Sequence, residues 1–409
     1  MRPSAFSRLA VTHALALAGD AMVTVALAGS VFFSISPTAA RGRVALSLLL
    51  TIAPFAIVAP LLGPVIDRAR GGRRAIVVGA AVARALACLW MAAVIDQLLL
   101  FPAAFCLLVL SKTHAVAKSS LVAPTVGHDA LLVEANSKLA LVGVVAGLVA
   151  SGPAVAVLRI TDAAWVLRLA SVVYVATAIA GLRLESGAAE PEPTRHQAGG
   201  TAELNDPGIR LAATATATLR AAVGFLTFLI AFAFRRGDAP SWWFGVVLAA
   251  SMLGSFLGAL LAPRVRARIP EERMVAGALI AIALGALVAG RVSGRPGAAL
   301  LAGVVGFAAN TGKLGFDSLV QRDAPDAAQG RAFARYEAEF QLAWVAGALL
   351  PVALRIEQPV GFFVMAVGVG MAALSYVTGR RAMRTRNVSV REVDAGEPEA
   401  GGVDLGGRR

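Results

Sequence analysis

Eight side chains with acid-base or charge-pairing chemistry lie inside or at the mouths of otherwise apolar stretches: Asp20, Arg84, Lys112, His114, Arg220, Lys313, Glu337 and Glu339. A charged group within hydrocarbon costs roughly 2.5–3.5 kcal/mol on insertion scales, so each requires a partner or a water-filled cavity. Asp20 lies 12 residues beyond Arg8, or ~18 Å along a helix, and Arg84 lies 10 beyond Arg74, or ~15 Å. Both therefore fall near the middle of a bilayer. A carboxylate held in a poorly solvated cavity is a usable proton carrier, whereas a cluster of cations is a seat for an anion. Glu337 and Glu339 are two residues apart and point ~200° from each other on a helix, so one cavity does not easily receive both. One is expected to answer Lys313 or Arg220 while the other faces the adjoining loop.

The elements that carry these residues are apolar helices. The chain is 57% hydrophobic and 15% charged, with a mean hydropathy of +0.72, far from soluble domains. Apolar runs of about 20 residues, long enough to cross a ~30 Å hydrocarbon core, are read at 8–34, 44–66, 74–95, 98–122, 137–158, 164–183, 210–234, 242–262, 273–291, 297–320, 332–354 and 359–379. They are continuous rather than alternating, which argues for helices over a β-barrel. The first run continues past Asp20 to Ile35, too long for the core of a cleaved signal peptide.

Two segments repeat at about half the chain length. Leu61-Leu62-Gly63-Pro64 reappears as Leu260-Leu261-Ala262-Pro263, each followed by arginines. Val145-Ala146-Gly147 answers Val345-Ala346-Gly347, and Ser120-Leu121-Val122 answers Ser318-Leu319-Val320. The expected organisation is a six-helix bundle over 1–183, a polar, Pro/Gly-rich linker over 184–209, a second six-helix bundle over 210–380 and a disordered tail over 381–409. The same offset takes Asp20 to Arg220, the charge deep in the seventh run.

The net charge of +13 is a topology signal rather than a nucleic-acid footprint. Most lysines and arginines fall on the two termini and on the loops that share their side, which places both termini in the cytoplasm. Trp90, Trp165, Trp242 and Trp243 mark the opposite interface, as an aromatic belt does. Arg380, Arg381, Arg384 and Arg386 are placed to touch anionic headgroups or to fix orientation. The excess of arginine over lysine, with abundant alanine, is a coding bias that suggests a bacterial inner membrane. Cys88 and Cys106 read as apolar fillers. No Cys/His cluster has metal-ligand spacing and no Gly-Lys-Ser/Thr run would hold ATP. Neither metal nor cofactor is therefore expected.

Gly63, Asp67 and Arg68, closed by Gly72-Arg73-Arg74 two residues late, resemble the signature loop of the major facilitator superfamily. Ala18-Gly19-Asp20 with Val25-Ala26-Leu27 resembles span one of its drug:proton antiporter-like branch. Lys118-x-x-Leu121-x-x-Pro124 with Glu134-Ala135-Asn136 resembles its loop 4–5, and Gln321-x-x-x-Pro325-Asp326 with Gly330-Arg331 its loop 10–11. Gly147-x-x-x-x-Gly152-Pro153 resembles the antiporter helix motif, with Ala156 where a glycine is usual. The resemblance implies an all-α integral membrane protein of twelve transmembrane helices in two pseudo-symmetric bundles. It implies that spans one, four, seven and ten line the cavity, making Asp20, Lys112, Arg220 and Lys313 cavity candidates. Span three is peripheral in that fold, so Arg84 should point inward with Asp20 as partner, as a static pin or as part of a coupling device. Asp67 and its arginines would form a cytoplasmic latch, and Gly147, Gly152 and Pro153 a close helix approach with a kink.

The function so implied is proton-coupled efflux of a small amphipathic or drug-like molecule by alternating access. Its partners would be a small-molecule substrate, protons and the bilayer, with no nucleic acid and a monomeric state. The surplus of Arg84, Lys112, Arg220 and Lys313 over the carboxylates motivates a second reading, transport or flipping of an anionic substrate or lysophospholipid-like lipid. A non-transporting membrane sensor is the reading from another class. An enzyme needs a nucleophile, base or metal gathered in one place. Ser111, Lys112 and His114 are close in sequence but diverge around a helix, so no enzyme is expected.

Overall fold

A computed structural model describes residues 4–30, 72–97, 99–126, 131–184, 206–237, 240, 242–324 and 329–396. The described residues form eleven helices. In the N-terminal half they are α1 (Ala5–Ser30), α2 (Gly72–Ala93), α3 (Leu100–Thr125), α4 (Leu132–Ile160) and α5 (Ala163–Gly181). In the C-terminal half they are α6 (Pro207–Arg236), α7 (Trp242–Arg266), α8 (Glu271–Val292), α9 (Gly294–Asp323), α10 (Gln329–Ala353) and α11 (Gln358–Gly396). Ten are long and apolar enough to cross a membrane. The eleventh, α10, carries Arg331, Arg335, Glu337 and Glu339 in its first half. The expected span 44–66, with Gly63, Asp67 and Arg68 of the signature loop, lies outside the described residues, as does most of the linker 184–209.

Local chemistry fixes the helix ends. Asp162 accepts a hydrogen bond from the Trp165 backbone N–H at 3.0 Å and caps α5. Asp206 does the same for α6, from Gly208 and Ile209 at 2.7 and 3.0 Å, ahead of Pro207 in the first turn. Segments expected to be loops are instead helical. Glu134-Ala135-Asn136 opens α4, where Glu134 pairs with Lys138 at 2.6 Å one turn on. Gln321 belongs to the last turns of α9. The last helix runs to Gly396, past the expected boundary at 380, through a stretch without proline or glycine between Arg380 and Gly396.

The two halves share one packing scheme. In the first, α1 packs on α4 and α5, while α2 packs on α5 and α3. In the second, α6 packs on α10 and α11, while α8 packs on α11 and α9. The faint sequence repeat is thus a repeat of helix contacts. Leu148, Val149, Val172, Leu248, Phe363 and Leu374 are exposed on the outside of this bundle, where lipid tails would meet them.

Small residues permit the closest helix contacts. A Cβ at Gly254 of α7 would overlap the Gly303 carbonyl of α9, whereas one at Gly277 of α8 would meet nothing within 4 Å among the described residues. Gly254→Leu is expected to abolish the monodisperse folded peak in size-exclusion chromatography, and Gly277→Leu to leave it unchanged.

Among the described residues, the hydrogen bonds joining the halves gather at the arginine-rich end, where α4 and α3 meet α7, α9 and α10. An apolar cluster of Val133, Ala259, Ala262, Met274 and Leu314 closes the same seam.

Candidate functional site

The first cluster lies within the N-terminal half. Arg84 of α2 is fully buried, and its guanidinium is ion-paired with Asp20 of α1. The same Asp20 oxygen accepts hydrogen bonds from Tyr174 of α5 at 2.8 Å and Ser111 of α3 at 3.0 Å. Arg84 also donates to the Tyr174 hydroxyl at 3.1 Å and lies 4.2 Å from the centre of its ring. Four helices thus converge on one carboxylate. Gly19 makes this possible, because a Cβ there would sit 2.6 Å from the Tyr174 ring. The Asp20 side chain remains 31% exposed while its partner is sealed, so water has access to one member of the pair only.

A second cluster lies in the C-terminal half. Lys313 of α9 pairs with Asp317 one turn on at 2.6 Å and faces Glu337 of α10 at 3.6 Å. Arg220 of α6 reaches the other Glu337 oxygen at 3.7 Å. Lys313 also stands 5.6 Å from the Phe340 ring, which packs edge-on against Phe316. Glu339, two residues away, turns outward and pairs with Arg335 at 3.0 Å. Of the two candidate glutamates, Glu337 faces the cluster and Glu339 does not, as their ~200° separation requires.

Lys112 of α3 has charges of both clusters as neighbours, Glu337, Arg220 and Lys313 of the second and Asp20 of the first. His114 is buried beside His13, with ring centroids 6.3 Å apart and planes 8° from parallel. Neither His114 nitrogen has a hydrogen-bond partner among the described residues.

At the arginine-rich end, two motif fragments meet across the halves. The Asn136 amide donates to Gln321 Oε1 at 2.6 Å and to Ser318 Oγ at 3.3 Å. Gln321 Nε2 donates to the Ser119 carbonyl at 3.0 Å, and Ser137 donates to the Ala259 carbonyl. Of the signature-loop residues, Gly72, Arg73 and Arg74 begin α2, and Arg73 donates to the Ser120 carbonyl at 3.0 Å. The expected close approach along the antiporter-like motif is not made at Gly152. Gly152 and Pro153 are exposed, and a Cβ at 152 would meet nothing within 4 Å among the described residues. At Gly147 the nearest atom to a Cβ would be Ala21 at 3.8 Å, ordinary contact. The tight approach to α1 falls at Gly143, whose Cβ would overlap Leu17.

Sequence reasoning missed Tyr174, Asp317 and the pairing of Asn136 with Gln321. Tyr174 is one of only three tyrosines in the chain. A phenol inside an apolar span was the available signal, since a buried hydroxyl seeks a partner.

No family model matches the chain. An uncharacterized protein of Mycobacterium leprae, ML2143, is 28% identical over 93% of this chain and 74% of its own length. An uncharacterized protein of Mycobacterium tuberculosis, Rv0876c, is 30% identical over 84% of this chain and 68% of its own length. Among solved structures, an outward-facing bacterial homologue of the iron transporter ferroportin superposes with a TM-score of 0.71 at 14% identity, covering 93% of this chain and all of that one. The major facilitator superfamily transporter FucP, in the outward conformation, gives 0.69 at 14% identity over 91% of this chain and 98% of its own. The human organic anion transporter MFSD10 gives 0.68 at 14% identity over 92% of this chain and all of its own. With its repeated helix packing, the chain is a multi-pass membrane protein with the major facilitator fold, and it belongs to the same family as Rv0876c of Mycobacterium tuberculosis.

Proposed function

We propose that the protein is a secondary active transporter that couples movement of a small amphipathic molecule to protons by alternating access of its two halves. The observation that carries this reading is the partly exposed Asp20 carboxylate, held by a fully sealed Arg84. A proton arriving on Asp20 removes the charge that holds Arg84, and leaves a buried guanidinium whose environment must rearrange. That rearrangement is the coupling step, since Arg84, Tyr174 and Ser111 tie four helices of one half to the same oxygen. The Asn136–Gln321 contacts serve as the latch of the state closed at the arginine-rich end, which the charge asymmetry assigns to the cytoplasm. With 1–183 and 210–380 as the two moving bodies, this state faces outward. Its mycobacterial relatives favour the inner membrane of a bacterium, and the resemblance to the antiporter-like branch favours export.

A second reading, transport of an anionic molecule, has its own support. In the second cluster and beside it, Lys112, Arg220 and Lys313 outnumber Glu337 and Asp317. An anion seated there would find a ready counter-charge.

The test is substrate-driven proton movement in proteoliposomes with lipophilic cations, neutral amphiphiles and anionic lysolipids, and Asp20→Asn as control. Proton counterflow with a lipophilic compound, lost in the variant, supports the first reading. Uptake or flipping of an anion without proton movement supports the second. Flux of no compound tested under any gradient would favour a sensor. For whichever substrate moves, Glu337→Gln is expected to lower the transport rate at least tenfold, and Glu339→Gln to leave it within twofold.

A further inference from the structure

At the arginine-rich end of the C-terminal half, the start of α8 and the end of the apolar part of α11 enclose a cavity of about 300 Å³. Its walls are Glu272, Arg273 and Ala276 from α8, and Tyr376, Arg380 and Arg381 from α11. Tyr376 is 2% exposed, and its hydroxyl has no hydrogen-bond partner among the described residues. A buried hydroxyl without a partner is costly, and such groups are ordinarily satisfied.

The charges around the cavity do not cancel. Glu271 is held by Arg266 at 2.6 Å and Arg322 at 3.0 Å. Glu272 is held by Arg322 at 3.1 Å and Arg380 at 2.9 Å, and Asp323 by Arg322 at 2.7 Å. Those three carboxylates are matched by the three arginines that hold them. Arg273 and Arg381 are left over, both exposed and neither paired with a carboxylate among the described residues. The apolar part of α11 ends at Met383 and that of α8 begins at Glu271, so the cavity opens where the hydrocarbon stops.

Two unmatched guanidiniums beside a sealed hydroxyl donor form a site for a doubly or singly charged oxyanion, with the arginines as forked donors and the tyrosine as a neutral one. Glu272 does not oppose it, because its oxygen already serves two arginines. We propose that this cavity is a phosphate-binding site, filled by the headgroup of an anionic phospholipid, with Arg273 and Arg381 supplying charge and Tyr376 a hydrogen bond. A lipid so held would brace α11 against α8, the pair that matches α5 against α2 in the other half.

Tyr376→Phe makes the test sharp. In an empty cavity, losing an unsatisfied hydroxyl is neutral or stabilising, whereas in an occupied one it removes a charge-assisted hydrogen bond. The full chain is purified in detergent and titrated with dioleoylphosphatidylglycerol, dioleoylphosphatidylcholine or inorganic phosphate, reading bound lipid by native mass spectrometry and the melting temperature in parallel. The phosphatidylglycerol is expected to bind and raise the melting temperature where the phosphatidylcholine does not. Its affinity is expected to fall at least fivefold in Tyr376→Phe and at least tenfold in Arg273→Gln/Arg381→Gln, while both variants melt no lower than the parent without lipid. Competition by millimolar inorganic phosphate, with the same losses in the variants, would support the phosphate site and identify a free anion as its source. Equal binding of both lipids, or phosphatidylglycerol binding unchanged in both variants, would overturn the proposal.

Discussion

Asp20→Asn is expected to abolish proton-driven flux in a protein that still folds, while Asp20→Asn and Arg84→Met are each expected to lower the melting temperature. Both costs follow from burial, and the hydrogen bonds that remain limit the first. Asparagine keeps an oxygen that Tyr174 and Ser111 can still reach, at what are now 2.8 and 3.0 Å, and Asp20 has water on one side. Arg84 has no such access, being fully buried. Removing one partner of a buried pair typically costs about 3–5 kcal/mol, because the other charge stays in a poorly solvated site. In Arg84→Met it is Asp20 that is stranded, with water on one side, and in Asp20→Asn it is the fully buried Arg84, facing a neutral amide oxygen. The double variant Asp20→Asn/Arg84→Met therefore should recover most of the lost stability, since two neutral groups of similar volume replace the ions. It should still move no protons. Thermal unfolding in detergent and pH-gradient-driven flux in proteoliposomes measure the two effects separately. Wild-type drive in Asp20→Asn would remove Asp20 from coupling and leave the four-helix contact as a structural pin. A double variant no more stable than Arg84→Met alone would show that the ion pair is not what Arg84 contributes.

The fold was largely legible in the sequence because a bilayer leaves few options. Runs of about 20 apolar residues, the charge asymmetry and a half-chain repeat together specify a duplicated helical bundle, and the helix packing repeats accordingly. Asp20 with Arg84 was legible too, since two opposite charges near mid-membrane require each other. Glu337 against Glu339 was undecided until helix rotation was fixed by packing. What stayed hidden depends on contacts between segments far apart in sequence. Nothing local to Asn136 points to Gln321, 185 residues away. Nor does spacing reveal that Gly19 is small for the sake of Tyr174. The antiporter-like glycines mislead for the same reason. Small residues signal close approach only on the face that meets a neighbour, and among the described residues nothing meets Gly152.

The Asn136–Gln321 contact carries the other large effect, on the balance between access states. At 2.6 Å from donor to acceptor, with both residues buried, it is a well-formed amide pair between the halves, reinforced by Ser318 and by the Ser119 carbonyl. In the proposed alternating-access cycle these contacts exist only while the arginine-rich end is closed, so they stabilise one state and not the other. Removing a buried hydrogen-bonding partner costs about 1–3 kcal/mol, which corresponds to roughly 5–150-fold in an equilibrium constant. Gln321→Ala leaves the Asn136 amide with only its longer bond to Ser318 and removes the side-chain donor on the Ser119 carbonyl in the closed seam, whereas water replaces both once it opens. The variant should therefore shift toward the state open at that end by about one order of magnitude. Spin labels at exposed Lys138 of α4 and Arg268 beyond α7, in a Cys88→Ala/Cys106→Ser background, report the separation across the seam by pulsed electron resonance. The closed distance should dominate in the parent, and a longer one should gain population in Gln321→Ala and in Asn136→Ala. Their double variant should show little more than either alone, because the two side chains act as one unit. An unchanged distance distribution in all three would leave the apolar contact of Val133 with Ala259, Ala262 and Leu314 as what holds that end shut.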